Sequence, residues 1–193
     1  NAVLALPIHQ AVALNCPIKL FDALYSTYPD AITFPELGFR RNVLHIAFRN
    51  ECSIALKKRI MKYYPEAISM TDKLGRLPIH YACYRGAKEQ DIDLLLKSSE
   101  NSARCYDNAG YYPLHIACAK GASPYVIQNL VTAFPAATTL KTKNGKSVLD
   151  WCDGASSSPN TKENIVILLE AMKKDERMRP RLARMPTSIR VLV

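Results

Sequence analysis

No stretch of the 193-residue chain approaches the roughly 20 consecutive apolar residues that a helix needs to cross a bilayer. The run Ile165 to Leu169 is short and sits inside an amphipathic helix candidate, so no transmembrane segment is expected. A basic-then-apolar leader is also missing after Asn1, which sets the expectation of no secretory signal. Gly145-Lys146-Ser147 has the ending of a phosphate-binding loop, but the required glycine five residues earlier is replaced by Leu140. Asp91 and Asp93 lack the further ligands and the glycine of a calcium loop. His80 with Cys83 and His115 with Cys118 could share a helix face, yet a tetrahedral metal site needs four converging ligands. No Ser-His-Asp or Cys-His-Asn set is readable, because histidine is scarce and every one belongs to a structural pattern. No catalytic residue, cofactor, metal or small-molecule substrate is therefore expected, and the chain does not read as an enzyme.

The pattern is the position of the histidines. His9, His45, His80 and His115 are separated by 36, 35 and 35 residues, and Asp150 stands 35 further on. Their surroundings recur as Leu6-Pro7-Ile8-His9-Gln10-Ala11, Val43-Leu44-His45-Ile46-Ala47, Leu77-Pro78-Ile79-His80-Tyr81-Ala82 and Tyr112-Pro113-Leu114-His115-Ile116-Ala117. A period of this length is the signature of stacked repeats, each burying its apolar face against its neighbours.

Within one period the sequence predicts two short helices and a turn. The first begins near the histidine and ends at Gly86 or Gly121, where a left-handed backbone suits glycine. The second carries apolar residues at three- and four-residue spacing, as in Ile92, Leu95 and Leu96, which makes one buried stripe. Ser123-Pro124 and Ser158-Pro159 are expected to open helices as a serine cap followed by proline. An aromatic-proline pair then stops the chain at Tyr28-Pro29, Tyr64-Pro65 and Phe134-Pro135, with Ser99-Glu100 in the third unit. Turns follow at Gly75, Gly110 and Gly145, with Asp72 and Asp107 three residues before the first two.

The six cysteines fall in this register. Cys83 and Cys118 lie three after the histidine, Cys16 and Cys52 seven after it. Cys152 takes the slot held by Ala11, Ala47, Ala82 and Ala117 in the other units, and Cys105 the slot of Phe34, Met70 and Leu140. All six are expected as reduced, buried thiols, which points to a reducing intracellular compartment, cytoplasmic or nuclear, with an organelle interior left open.

These residues resemble the ankyrin repeat: an Asp-x-x-Gly turn, then Thr-Pro-Leu-His-x-Ala, then two antiparallel helices. The resemblance covers roughly residues 1–172 as five units of about 1–36, 37–72, 73–107, 108–142 and 143–172, the last degenerate. It implies an all-α ankyrin-repeat solenoid of stacked helix-turn-helix units with hairpin-like tips, in which the four histidines bond to neighbouring backbone. Two departures stand out. The units are longer than the family's usual ones, and its threonine is replaced by Asn42, Leu77, Tyr112 and Ser147, removing a hydroxyl at three helix starts. Ser147 to Cys152 is expected to begin a C-terminal cap closed by a helix near Thr161 to Lys174. Whether further repeats precede Asn1 stays open.

The resemblance also implies where partners bind: the turn tips and the exposed side of the first helix, which line a concave groove. On this chain those positions are Arg41, Arg76, Tyr111 and Lys146 at the tips and Arg49, Tyr84, Arg85 and Lys120 on the helices, flanked by Lys73, Tyr112 and Lys143. Positive charge interleaved with tyrosine fits an acidic peptide or acidic protein surface. The expected role is a non-enzymatic interaction module or scaffold. A basic C-terminal arm, 173–193, carries Lys173, Lys174, Arg177, Arg179, Arg181, Arg184 and Arg190 against Asp175 and Glu176, or +5 of the chain's +9. It supplies two alternatives, a structural subunit of a large assembly or nucleic-acid association.

Overall fold

Each repeat begins where proline or a polar cap makes helix initiation cheap. A computed structural model describes residues 5–154 and 158–174. Proline stands at the first helical position of α1 (Pro7–Ala13), α5 (Pro78–Tyr84), α7 (Pro113–Ala119) and α8 (Pro124–Ala133). Asn42 opens α3 (Val43–Arg49), its Oδ1 accepting from the Leu44 and His45 N–H groups, both at 3.0 Å. The departure from threonine thus costs this unit nothing: the carboxamide caps in place of the hydroxyl. Ser53 caps α4 (Ile54–Tyr63) and Ser123 caps α8, as expected for the latter. The outer helices of the first and third units are α2 (Ile18–Thr27) and α6 (Glu89–Ser98).

Left-handed backbone ends the first helices, at Gly86 and Gly121 as predicted, and at Asn15 and Glu51 in the other two units. The outer helices end at an extended residue, Tyr28, Tyr64, Ser99 or Phe134, followed by a short 3-10 turn. Ser99-Glu100 adopts the same backbone as the aromatic-proline pairs, so its unlike sequence leaves the repeat intact.

The inner helices α1, α3, α5, α7 and α9 (Val148–Gly154) pack in series, and α10 (Thr161–Lys174) packs on α8 and α9. Apolar side chains between the layers form one continuous core, from Ile8 through Leu44, Ile79 and Leu114 to Leu168. Among the described residues no helix is long and apolar enough to cross a membrane.

The tips are turns laddered to one another rather than strands. Within them Asp72 N–H bonds the Arg76 carbonyl, and Asp107 N–H that of Tyr111. Between them Lys73 N–H reaches Phe39 O at 2.7 Å, Asn108 N–H reaches Leu74 O at 2.9 Å, and Lys143 N–H reaches Ala109 O at 3.1 Å. Gly110 sits at one crossing with φ of 82°, and a Cβ there would lie 2.8 Å from the Lys143 nitrogen. Gly145 has nearly the same φ, 80°, and open space around it. Gly110→Ala is therefore expected to lower stability by more than Gly145→Ala, which carries only the left-handed cost of about 1–2 kcal/mol. Equal urea midpoints for the two variants would contradict the clash.

Two expectations need correction. Cys105 is exposed, unlike the other five thiols, because its slot lies at the end of a 3-10 turn where Phe34 and Met70 are exposed too. Ser158 and Pro159 do not open α10, which starts at Thr161. The Ser158 hydroxyl instead donates to the Gly121 carbonyl at 3.3 Å, tying the last unit to the previous one.

Candidate interaction surface

The histidines join each unit to the next. Nδ1 of His9, His45, His80 and His115 accepts the backbone N–H of Leu6, Asn42, Leu77 and Tyr112 respectively, at 3.0–3.3 Å. That leaves Nε2 protonated, and it donates to the carbonyls of Phe34, Arg76, Tyr111 and Leu140 at 2.8–3.1 Å. Burial holds the rings neutral: His45 and His80 are lowered to about 4, with the Arg76 and Tyr111 carbonyls opposing only in part. With both nitrogens engaged, neither His80 nor His115 has a lone pair for a metal, whatever lies at Cys83 or Cys118. Asp150 keeps half of this role. Its carboxylate accepts from the Ser147 N–H and hydroxyl, both at 2.7 Å, and these bonds lower its pKa.

Carboxylates organise the tips. Asp72 Oδ1 accepts from Leu74 and Arg76 N–H, and Asp107 Oδ1 from Ala109 and Tyr111 N–H. Glu36 does the same for Gly38 and Phe39; burial alone would raise its pKa, but Arg41 and those N–H groups bring it down. Consequently two of the tip arginines are spoken for. Arg41 Nε lies 2.9 Å from Glu36, and Arg76 Nε 3.4 Å from Asp107. Arg85 pairs with Glu51 at 3.0 Å. Arg49, Lys73, Lys120, Lys143 and Lys146 form no ion pair among the described residues and stay exposed.

Aromatic rings gather on the inner-helix face of the last three units. Tyr84, Tyr111, Ile116, Lys120, Lys146 and Trp151 line a hollow of about 440 Å³. Tyr111 and Trp151 have ring centroids 5.4 Å apart. Cations lie over these rings: Arg76 and Lys120 over Tyr84 at 4.9 and 5.7 Å, and Lys146 over Trp151 at 4.5 Å. Trp151 Nε1 is buried and has no acceptor among the described residues.

A family model for ankyrin repeats matches residues 44–137, in three copies. This part of the chain consists of ankyrin repeats. No curated protein matches it. The matched ankyrin units are the middle ones. The first and last helix pairs keep the geometry through the His9 bonds and the Asp150 cap. Ankyrin repeats are protein–protein interaction modules.

Of the residues expected to contact a partner, Tyr84, Tyr111, Lys120 and Lys146 come together. Tyr112 does not join them: its ring packs against Phe134 at 5.7 Å and Tyr106 at 5.3 Å. Trp151 joins the group although sequence reasoning assigned it only to the cap. The available signal was its place one after Asp150, where Ile46, Tyr81 and Ile116 are buried in the preceding units. Arg177, Arg179, Arg181, Arg184 and Arg190 of the basic arm lie outside the described residues. A second hollow of about 410 Å³, formed by Leu6, Tyr28, Phe34 and Leu37 among others, is apolar and has no charged side chain in its lining among the described residues.

Proposed function

We propose that this ankyrin-repeat protein is a non-enzymatic interaction module that binds an acidic peptide or acidic protein surface through its concave face and tips. The observation that carries the reading is the set of exposed cations without ion-pair partners among the described residues: Lys120 and Lys146 in the hollow lined by the Tyr84, Tyr111 and Trp151 rings, and Lys73 at a tip. Tyrosine, tryptophan and cation together are the composition of binding hot spots, and rim charges set on-rate and salt dependence. Arg41 and Arg76 support the reading less, since each already neutralises a tip carboxylate.

The test is capture from native extract, read by mass spectrometry, with the wild-type chain and a Lys73→Glu/Lys120→Glu/Lys146→Glu variant. Specific partners are expected to drop about tenfold or more with the variant, and to be lost from wild type as salt rises. Unchanged capture of every partner by the variant rules the reading out. A second reading, in a large assembly or on nucleic acid, rests on the arginines of the arm at 177–190. It predicts loss of capture when the chain ends at Lys174, with the lysine variant unaffected.

A further inference from the structure

We infer that the hollow between Tyr84, Tyr111 and Trp151 takes one apolar side chain of the partner, from a segment whose flanking carboxylates meet Lys120 and Lys146. This rests on the interaction-module reading and goes beyond it by locating the contact and the side-chain chemistry it selects.

Register shows why the aromatic wall stands at this part of the face. Four after the histidine, Tyr84 corresponds to Ala13, Arg49 and Ala119. Four before it, Tyr111 corresponds to Arg41, Arg76 and Lys146. The first two units therefore have no aromatic side chain at either position, and their share of the face has no aromatic wall. At about 440 Å³ the hollow falls in the range of small-ligand sites and admits a leucine or phenylalanine side chain with room for adjoining backbone.

Charge decides what accompanies that side chain. Aromatic faces ordinarily invite a cationic ligand. Here the chain's own Arg76, Lys120 and Lys146 already lie over Tyr84 and Trp151, so a ligand lysine or arginine meets like charge instead. Arg76 is shared with Asp107, and Asp150, which also lines the hollow, is an ionised carboxylate bonded to Ser147 and attracted to Lys146, so the three cations outnumber it there. Lys120 and Lys146 remain as cations at the rim without ion-pair partners among the described residues, and carboxylates on either side of an apolar anchor complement them. Trp151 Nε1–H is buried and has no acceptor among the described residues, so it is a further donor that a ligand acceptor would satisfy.

Trp151 is the only tryptophan in the chain, so its emission reports on this hollow alone. The experiment titrates the full chain with an acetylated Asp-Glu-Phe-Glu-Asp peptide. Two controls carry Gly in place of Phe, or Lys in place of every acid. A saturable change in emission is expected with the first peptide, about tenfold or more weaker with either control. Lys120→Glu/Lys146→Glu, at two exposed positions, is expected to lose the response while keeping the helical circular dichroism of wild type. No saturable response, equal responses to the controls, or a response indifferent to the lysine variant would overturn the assignment. If partners are still captured from extract in that case, the module reading stands and only this site is wrong; failure of both experiments removes both.

Discussion

Lowering the pH from 7 to 5 is expected to weaken the stack strongly before most carboxylates titrate. The reason is the set of neutral histidines. In the unfolded chain each has its ordinary value of 6.5, whereas in the fold His45 and His80 are held at about 4 by burial. Between those values the unfolded chain binds protons that the folded chain refuses, so stability falls as pH falls. It is complete above about pH 6.5 and is lost progressively down to about 4. At about 1.4 kcal/mol per pH unit, each of these two histidines accounts for about 2 kcal/mol by pH 5. His9 and His115, lowered in the same direction, add to this. Urea midpoints measured at pH 7, 6 and 5 check the prediction. His80→Gln should be less stable at pH 7, having lost part of the join between units three and four, but should show a shallower pH dependence. A midpoint independent of pH between 7 and 5 is the outcome that contradicts it.

Breaking the buried ion pair Lys57–Asp91 should cost more than removing both its members. Lys57 Nζ lies 2.7 Å from both carboxylate oxygens of Asp91, between α4 and α6, and 4.8 Å from the centre of the Phe48 ring. Both side chains are nearly sealed from water, at 2% and 9% exposure. Removing one partner leaves a buried charge without compensation, worth about 3–5 kcal/mol. Lys57→Met or Asp91→Leu alone should therefore lower Tm by roughly 10 °C for a chain of this length. The double variant Lys57→Met/Asp91→Leu replaces the pair by apolar side chains of similar volume and is expected near wild type or above it. Calorimetry on the three variants decides this. A double variant as unstable as either single one would mean that the pair itself contributes net stability.

That pair also marks where sequence reasoning stopped short. Lys57 occupies the register position of Phe21, Ile92 and Ile127, and Asp91 that of Leu20, Leu56 and Val126. Read along one chain, each looks like a polar interruption of an apolar stripe. Only the offset between successive outer helices brings the two interruptions together. Tip charges misled in the opposite direction. Arg41 and Arg76 read as exposed binding groups, yet Glu36 and Asp107, chosen by the turns for their N–H groups, had acceptor oxygens to spare and drew them in.

Trp151 shows the same limit within the candidate site. Its sequence position assigns it to the closing unit, and nothing in the local pattern places its ring 5.4 Å from Tyr111, a residue 40 positions earlier. By contrast, the ankyrin fold was legible in detail, because its determinants are local and repeated. Proline starts a helix, glycine or asparagine ends one, an apolar stripe names the buried face, and His-x-Ala recurs at a spacing only stacked units explain. The sequence by itself therefore determined the repeat, its period, the helix pairs and the structural task of the four histidines. Tertiary structure alone decided which charges are neutralised and which stay unpaired among the described residues, because pairing depends on distances between units that no single unit encodes.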